Sequence, residues 1–183
     1  KLLINNVPAV IAERLKENDI RIDDSYDSVT VMFADLVNFT HISEKMPPTQ
    51  LIDFLSQVFL RFDKLAEKYQ VEKIKTIGDA YMVISGAPVL CQDHAHRIAG
   101  MAIEMHSALK EVAIKTNLDL QMRIGINTGP VVAGVIGSAK FSYDFVGEEV
   151  NVACCVEHFG GPEGKRVNKA KPPIMRQSAL VRR

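Results

Sequence analysis

The sequence lacks the features that mark membrane-spanning, secreted or nucleic-acid-binding proteins. None of its apolar runs approaches the roughly 20 residues that a transmembrane helix needs. No signal peptide is present at the start. The 22 basic and 22 acidic residues balance, so the overall charge gives no reason to expect a nucleic-acid partner. What the sequence does contain, 183 residues of which 47% are hydrophobic, predicts one domain with a sizeable core.

Cysteine is also scarce, with only Cys91, Cys154 and Cys155 in the chain. Their number is odd, and adjacent cysteines rarely pair with each other, so a disulfide framework is not expected. A reducing, cytoplasmic setting fits this usage best. Because the chain starts at Lys1 rather than methionine, we expect it to be a fragment of a longer protein.

The balanced charge hides an uneven distribution. Residues 160–183 contain seven basic residues and a single acid, Glu163, which gives this tail a formal charge of +6 and the rest of the chain −6. Pro172-Pro173 argues against a helix there. The tail shows no hydrophobic periodicity.

The first half of the chain predicts a helix, a linker, a strand and a long helix. Apolar residues at helical spacing indicate a helix over residues 2–16, and the polar, acidic residues 17–27 indicate a linker. Residues 28–34 are almost continuously apolar, as in a buried central strand. Pro47-Pro48 marks the start of a helix whose apolar face comprises Leu51, Leu55, Val58, Phe62, Leu65 and Tyr69.

The second half predicts a hairpin, a helix and two more strands. Strands 71–77 and 80–85 flank a turn at Gly78-Asp79. A helix follows over residues 92–116, with apolar positions Ile98, Met101, Ile103, Met105, Leu109 and Val112. Strands 120–127 and 131–136 come next. The order β, α, β, β, α, β predicts an α+β fold of the ferredoxin-like type, with an antiparallel sheet and both long helices on one face.

Two acids stand at the ends of predicted strands. Asp35 follows the strand 28–34, and Asp79 lies in the hairpin turn, four residues after Lys75. Carboxylate oxygens from neighbouring strand ends suit a hard divalent cation. An acid at a strand end is also common as a simple turn or cap residue, so the pattern alone leaves both interpretations open.

Four segments resemble the catalytic domain of class III nucleotidyl cyclases. Residues 33–40, Phe-Ala-Asp-Leu-Val-Asn-Phe-Thr, and residues 73–82, Lys-Ile-Lys-Thr-Ile-Gly-Asp-Ala-Tyr-Met, are similar to the two metal-site motifs of that family. Residues 127–137 and 143–153 match two further segments in the expected order. The resemblance covers about residues 28–158. It implies a lead-in helix and linker at 1–27, a catalytic domain at 28–159 and a divergent tail at 160–183.

The resemblance implies a reaction assisted by two Mg²⁺ or Mn²⁺ ions, in which the ribose 3′-hydroxyl of a nucleoside triphosphate attacks the α-phosphate. It assigns the metal ions to Asp35 and Asp79, with the carbonyl of Leu36 as a further ligand. It assigns the phosphates to the backbone amides of Asn38, Phe39 and Thr40.

The resemblance also assigns the purine edge to Lys75 and Asp144, with Phe145 as a further substrate contact. A lysine donates to N1 of adenine and an aspartate accepts from its amine, whereas a guanylyl cyclase would be expected to carry Glu and often Cys there. ATP is therefore the expected substrate. Taken singly, Lys75 is better explained as an exposed strand lysine and Asp144 as a turn acid. Their matching positions in two separate motifs favour the base-reading role.

A head-to-tail homodimer with shared active sites is implied as well. One chain would supply the metal aspartates, and its partner would supply Lys75, Asp144 and the catalytic Asn151. In this family an upstream sensor or membrane region often precedes the domain, and the helix 2–16 could transmit its signal.

The chain departs from the family pattern at two places. Cys155 stands four residues after Asn151, where the family usually has an arginine that stabilises transition-state charge. No residue of the tail matches the family's C-terminal phosphate-binding lysine. Three functions therefore remain open: an adenylyl cyclase, active or weakened; a degenerate cyclase-like domain that binds nucleotide or regulates a partner; and a guanylyl cyclase, against which Lys75 and Asp144 argue.

Overall fold

The computed structural model describes residues 7–17, 22–137 and 141–161. Five helices and five strands occur in these ranges: α1 (Ala9–Lys16), β1 (Asp23–Val37), α2 (Phe39–Lys45), α3 (Pro48–Tyr69), β2 (Glu72–Ile77), β3 (Ala80–Ser85), α4 (His94–Thr116), β4 (Gln121–Ile136), β5 (Ser142–Val146) and α5 (Glu148–Phe159). In this part of the chain, no helix is both long and apolar enough to span a bilayer.

The strands form a single antiparallel sheet in the order β2-β3-β1-β4-β5. The first four strands, with α3 and α4 as crossovers, have the ferredoxin-like βαββαβ order, which confirms the predicted α+β fold. Strand β5 extends the sheet beyond β4, and α5 follows it. The central position of β1 explains its apolar run, because residues 29–34 have neighbouring strands on both sides and helices on both faces and are all buried.

Alternate side chains of β1 enter two separate cores. Met32, Ala34 and Leu36 pack with α3 and α4 on one face. Val29, Val31 and Phe33 belong to the cluster on the other face, which includes Ile11 of α1 and Ala153 of α5. The prediction that both long helices share one face is therefore confirmed, and α1 and α5 cover the opposite face.

Strand β1 begins earlier than the sequence predicts. The linker prediction for residues 17–27 is wrong from Asp23 onwards. Asp23, Asp24 and Tyr26 are part of β1 and pair with β4. Side chains in this first part of β1 are exposed or half-buried, which is why the segment lacks the apolar signal of a central strand.

The predicted strands 120–127 and 131–136 are one continuous strand, β4. Pro130 does not break it, because β1 bulges opposite: the register passes from Tyr26–Val131 to Val29–Gly129. A proline is tolerated at such a bulge, where the ladder needs no amide donor.

The long helices agree with their predicted limits to within two residues. Helix α3 begins at Pro48, and Val58 and Phe62 of its predicted apolar face are buried. In α4, Ile103 is wrongly predicted as a core residue: its side chain is 71% exposed, whereas Ala102 beside it is buried. The predicted helix 2–16 is confirmed from Ala9 to Lys16, while residues 1–6 and the tail beyond residue 161 lie outside the described residues.

Candidate active site

Asp35 and Asp79 meet at one end of the sheet. Asp35 lies near the end of β1, and Asp79 lies in the turn between β2 and β3. Since β3 pairs with β1, the hairpin turn is brought beside the end of β1. Gly78 allows this turn, because its φ of 64° is one that side chains with a Cβ rarely adopt.

The two aspartates line an open cleft of about 490 Å³. The predicted phosphate-binding and metal-binding positions on the neighbouring chain segment line the same cleft: Leu36, Asn38, Phe39 and Thr40. Asn38 adopts a left-handed conformation that starts α2, so the first amides of that helix have no acceptor within it. The structure thus brings together six residues that the sequence assigned to one half of a site.

The electrostatics of the pair suit a divalent cation. Burial, followed by the negative charge of Asp35, raises the pKa of Asp79 to about 6. Bringing two carboxylates together is unfavourable unless a cation lies between them, and carboxylate oxygens are preferred ligands of Mg²⁺ and Mn²⁺. No group of three or more His, Cys, Asp or Glu side chains that could hold a metal occurs among the residues described. The remaining ligands would therefore have to be main-chain oxygens, water or phosphate.

Arg123 is a site residue that sequence reasoning missed. Its Nη2 lies 2.8 Å from Oδ2 of Asp35, and it lines the cleft. Its Nε lies 3.0 Å from Oε1 of Glu157, a buried carboxylate on α5. These two atoms are buried and close, but they are not aligned for a hydrogen bond. Burial and the charge of Asp35 raise the pKa of Glu157.

The only signal for Arg123 is the pairing of β1 with β4, which places Arg123 directly opposite Asp35. That register depends on contacts between residues 88 positions apart, so no local motif reveals it.

Lys75 and Asp144 form an ion pair, although they lie on β2 and β5 at opposite edges of the sheet. The Lys75 ammonium donates to Oδ2 of Asp144, and the amide of Phe145 donates to Oδ1 at 2.9 Å. Both charged side chains remain partly exposed, at 38% and 24%. The sequence-predicted base-reading pair is therefore assembled within one chain.

Phe145 does not present its side chain to this pair. It is only 4% exposed, and its ring packs edge-on against Tyr143 at 5.1 Å. Any contact between Phe145 and a substrate has to come from its main chain.

Asn151 is exposed on α5, and Cys155 lies half-buried one turn further along. The described lining of the acidic cleft includes neither of these residues, nor Lys75 or Asp144. Within one chain the predicted residues therefore form separate groups: the predicted metal and phosphate positions line the cleft, and the Lys75–Asp144 pair and Asn151 are not part of its described lining.

Comparison with protein families identifies the family of this chain. The family model described as the adenylate and guanylate cyclase catalytic domain matches residues 22–171. This match starts six residues before the predicted domain limits, 28–159, and ends twelve residues after them.

Relatives of both kinds are similar to the chain. It is 43% identical over 157 residues to an adenylate cyclase of Mycobacterium tuberculosis, which covers 85% of this chain and 35% of that protein. It is 41% identical over 152 residues to a membrane guanylyl cyclase of Dictyostelium discoideum, covering 82% of this chain and 10% of that protein. The chain thus spans about a third or less of the length of these relatives.

Solved structures of both adenylyl and guanylyl cyclase domains are also similar to the chain. The adenylyl cyclase CyaB from P. aeruginosa has a TM-score of 0.72 at 30% identity, covering 75% of this chain and 74% of that one. The catalytic core of a rhodopsin-guanylyl cyclase with converted specificity, in complex with ATPαS, has a TM-score of 0.70 at 38% identity, covering 75% and 74%.

Proposed function

Because the chain belongs to the adenylate and guanylate cyclase catalytic domain family, we propose that it is an adenylyl cyclase, which converts ATP to 3′,5′-cyclic AMP and pyrophosphate. The observation that carries this choice is the Lys75–Asp144 pair. Relatives of both specificities are similar to the chain, at 43% identity for an adenylate cyclase and 41% for a guanylyl cyclase, so the choice of purine rests on the groups that would face its edge rather than on the fold.

The pair offers adenine the groups it needs. Its lysine can donate to the N1 acceptor of adenine, and its aspartate can accept from the exocyclic amine. Guanine presents a donor at N1 and an acceptor at C6, so each group would face the wrong partner at a cost of about 1–3 kcal/mol. The similar guanylyl cyclase core with converted specificity, which holds ATPαS, supports the view that this fold accommodates an adenine nucleotide.

The acidic cleft would hold the metal ions and the phosphates. Asp35, Asp79 and the carbonyl of Leu36 would bind two Mg²⁺ or Mn²⁺ ions, which when bound activate the ribose 3′-oxygen and neutralise the departing pyrophosphate. The free amides at the start of α2 would hold phosphate oxygens. Together these groups would hold the 3′-oxygen in line with the α-phosphorus, so that the new O3′–P bond forms as the bond to the leaving pyrophosphate breaks, and the hydroxyl proton passes to water.

A homodimer would join the two groups of residues. In a head-to-tail pair, the cleft of one chain faces Lys75, Asp144 and Asn151 of the other, and two shared sites result. The crystal structure of a similar guanylyl cyclase domain is that of a non-canonical dimer, which supports the view that two copies of this kind of domain can associate. We further propose that the domain lies in the cytoplasm and follows a sensor or membrane region, as the similar membrane guanylyl cyclase of Dictyostelium discoideum suggests.

The test is turnover by purified protein with Mn²⁺ and either ATP or GTP. We expect cyclic AMP from ATP and at least about tenfold less product from GTP, since one mismatched hydrogen bond costs that much. No cyclic AMP at high protein concentration would overturn the proposal, and faster turnover of GTP would make the chain a guanylyl cyclase.

Cys155 favours a second candidate, a cyclase-like domain that binds nucleotide and regulates a partner. A thiol cannot supply the forked charge of a guanidinium, and loss of one such donor typically lowers a rate by about 10²–10³. The intact acid pair favours catalysis over this alternative. Tight nucleotide binding without turnover would select the regulatory function.

A further inference from the structure

A side chain of β4 contacts the start of α5. The helix begins at Glu148 after Gly147, which has no side chain to cap it. Asn127 of β4 reaches the first turn instead: its Nδ2 donates to the main-chain oxygen of Glu149 at 3.2 Å and to the carboxylate Oε2 of the same residue. A single amide therefore binds both the backbone and the side chain of Glu149.

The glycines of β4 make room for this contact. A Cβ placed on Gly129 would lie 2.6 Å from Cγ of Glu149, which is closer than real Cβ atoms approach. A Cβ on Gly125 would lie 2.2 Å from the carbonyl oxygen of Ala153, one turn further along α5. The two glycines stand on the same face of β4, so α5 rests directly on the strand backbone, with Glu149 seated over Gly129.

We infer that Glu149 is a positioning residue for Asn151. This inference rests on the proposed function, in which Asn151 reaches the reacting nucleotide. Asn151 lies two residues after Glu149 and is exposed. Loss of the Asn127–Glu149 contact would let the first turn fray or rotate. The consequence falls on the rate of the chemical step, because Asn151 is not part of the base-reading pair.

The neighbouring acid provides a matched control. Glu148 and Glu149 both lie in the first turn, where negative charge favours a helix. Glu148 is exposed and Glu149 half-buried. Glu148→Ala and Glu149→Ala each remove one negative charge from this turn. Only Glu149→Ala removes the side-chain contact with Asn127.

Kinetics of the full chain with ATP and Mn²⁺ test the inference. We expect Glu149→Ala to lower kcat about 10-fold, since small misplacements of reacting groups cost at least this much. The KM for ATP should stay within about twofold, and Glu148→Ala should change neither constant by more than about twofold. Asn127→Ala should match Glu149→Ala, and the double variant should be no slower than either, because both remove one contact. Glu149→Gln should retain most of the rate, since its amide oxygen can still accept from Asn127.

Amide hydrogen exchange gives a second measurement that needs no turnover. Exchange in residues 148–153 should quicken in Glu149→Ala while α3 keeps its protection, and Glu148→Ala should leave both unchanged. Unaltered exchange in α5, equal effects of the two glutamate changes, or additive losses in the double variant would each overturn the inference. A wild type that makes no cyclic AMP would sink the proposed function instead, and the exchange data would still decide whether Glu149 holds the helix.

Discussion

At the scale of single residues, Asp79, a proposed metal ligand, destabilises the folded protein when no metal is bound. Its carboxyl is partly buried beside Asp35, and both effects raise its pKa to about 6, above the ordinary value of 3.8. In the absence of metal, the ionised form therefore opposes folding, and stability declines as the pH rises from about 4 through 6. Residues that serve a ligand often cost the free protein stability in this way.

We therefore predict that Asp79→Asn abolishes cyclic AMP formation yet raises Tm at pH 8 without added metal. The amide removes the repulsion with Asp35 but is a poor ligand for Mg²⁺ or Mn²⁺. Asp53→Asn, an exposed acid on α3, is the control and should alter neither quantity. Retained turnover in Asp79→Asn would contradict the assignment of the metal site.

A second prediction at this scale concerns Cys155, which lies one turn after Asn151 on α5. Cys155→Arg should raise kcat about 10²-fold or more if a guanidinium is what the site lacks. The change is measured against Cys154→Arg, which places the same charge on the neighbouring, exposed position. If Cys155→Arg gives no gain, the limiting defect lies elsewhere, with the unmatched C-terminal lysine as the next candidate.

At the scale of elements, the seat of α5 on β4 depends on Gly125. A Cβ there meets the main chain of α5, since it would lie 2.2 Å from the oxygen of Ala153 and 2.3 Å from the nitrogen of Glu157. Backbone atoms cannot move aside as a flexible side chain can, so the helix has to shift as a whole.

We predict that Gly125→Ala lowers Tm by several degrees and reduces kcat together, because overpacking of this kind costs about 1–3 kcal/mol. Gly161→Ala is the control, since a Cβ there meets nothing within 4 Å. Thermal unfolding and turnover measured on the same samples decide the matter; an unchanged Tm would show that α5 does not rest on the strand as described.

The sequence predicts the elements well where local periodicity dictates them. The hairpin 71–85 and the helices α3 and α4 are clear because their apolar spacing and turn residues are local signals. Two contacts could not be predicted from local signals. Arg123–Asp35 depends on the register of β1 and β4, and Asn127–Glu149 depends on how α5 packs across β4. Ile103 is mispredicted for the same reason: periodicity shows that α4 has an apolar face, but not which edge of that face the sheet covers.

At the scale of the whole molecule, the acidic cleft and the Lys75–Asp144 pair are separate features of one chain, and the proposed reaction needs both. Asp35 and Asp79 line the acidic cleft, whereas the described lining of that cleft includes neither Lys75 nor Asp144. Association of two copies is the simplest way to complete a site.

We predict that mixing two inactive variants restores activity. Asp35→Ala removes the metal group, and Lys75→Ala removes the base-reading group, so a mixed dimer keeps one intact site. About a quarter of wild-type turnover is expected for random pairing of equal amounts, because half of the dimers are mixed and each has one of two sites. Mixing Asp35→Ala with Asp79→Ala is the control, since both lesions fall in the same group and no intact site can form. Failure of the first mixture to recover would rule out shared sites.

Strand β4 connects both ends of this arrangement. Arg123 near its start lies opposite Asp35, and Gly134 near its end pairs with Asp23 on one side and Asp144 on the other. Arg123 and Gly134 are eleven positions apart on one continuous strand, so the length of β4 helps to set how the two groups are placed relative to each other. A one-residue insertion or deletion within β4 would turn every later side chain to the opposite face. Under the proposed function, point substitutions at Lys75 or Asp144 would change the base preference, while the length of β4 has to stay constant to keep the two groups in place.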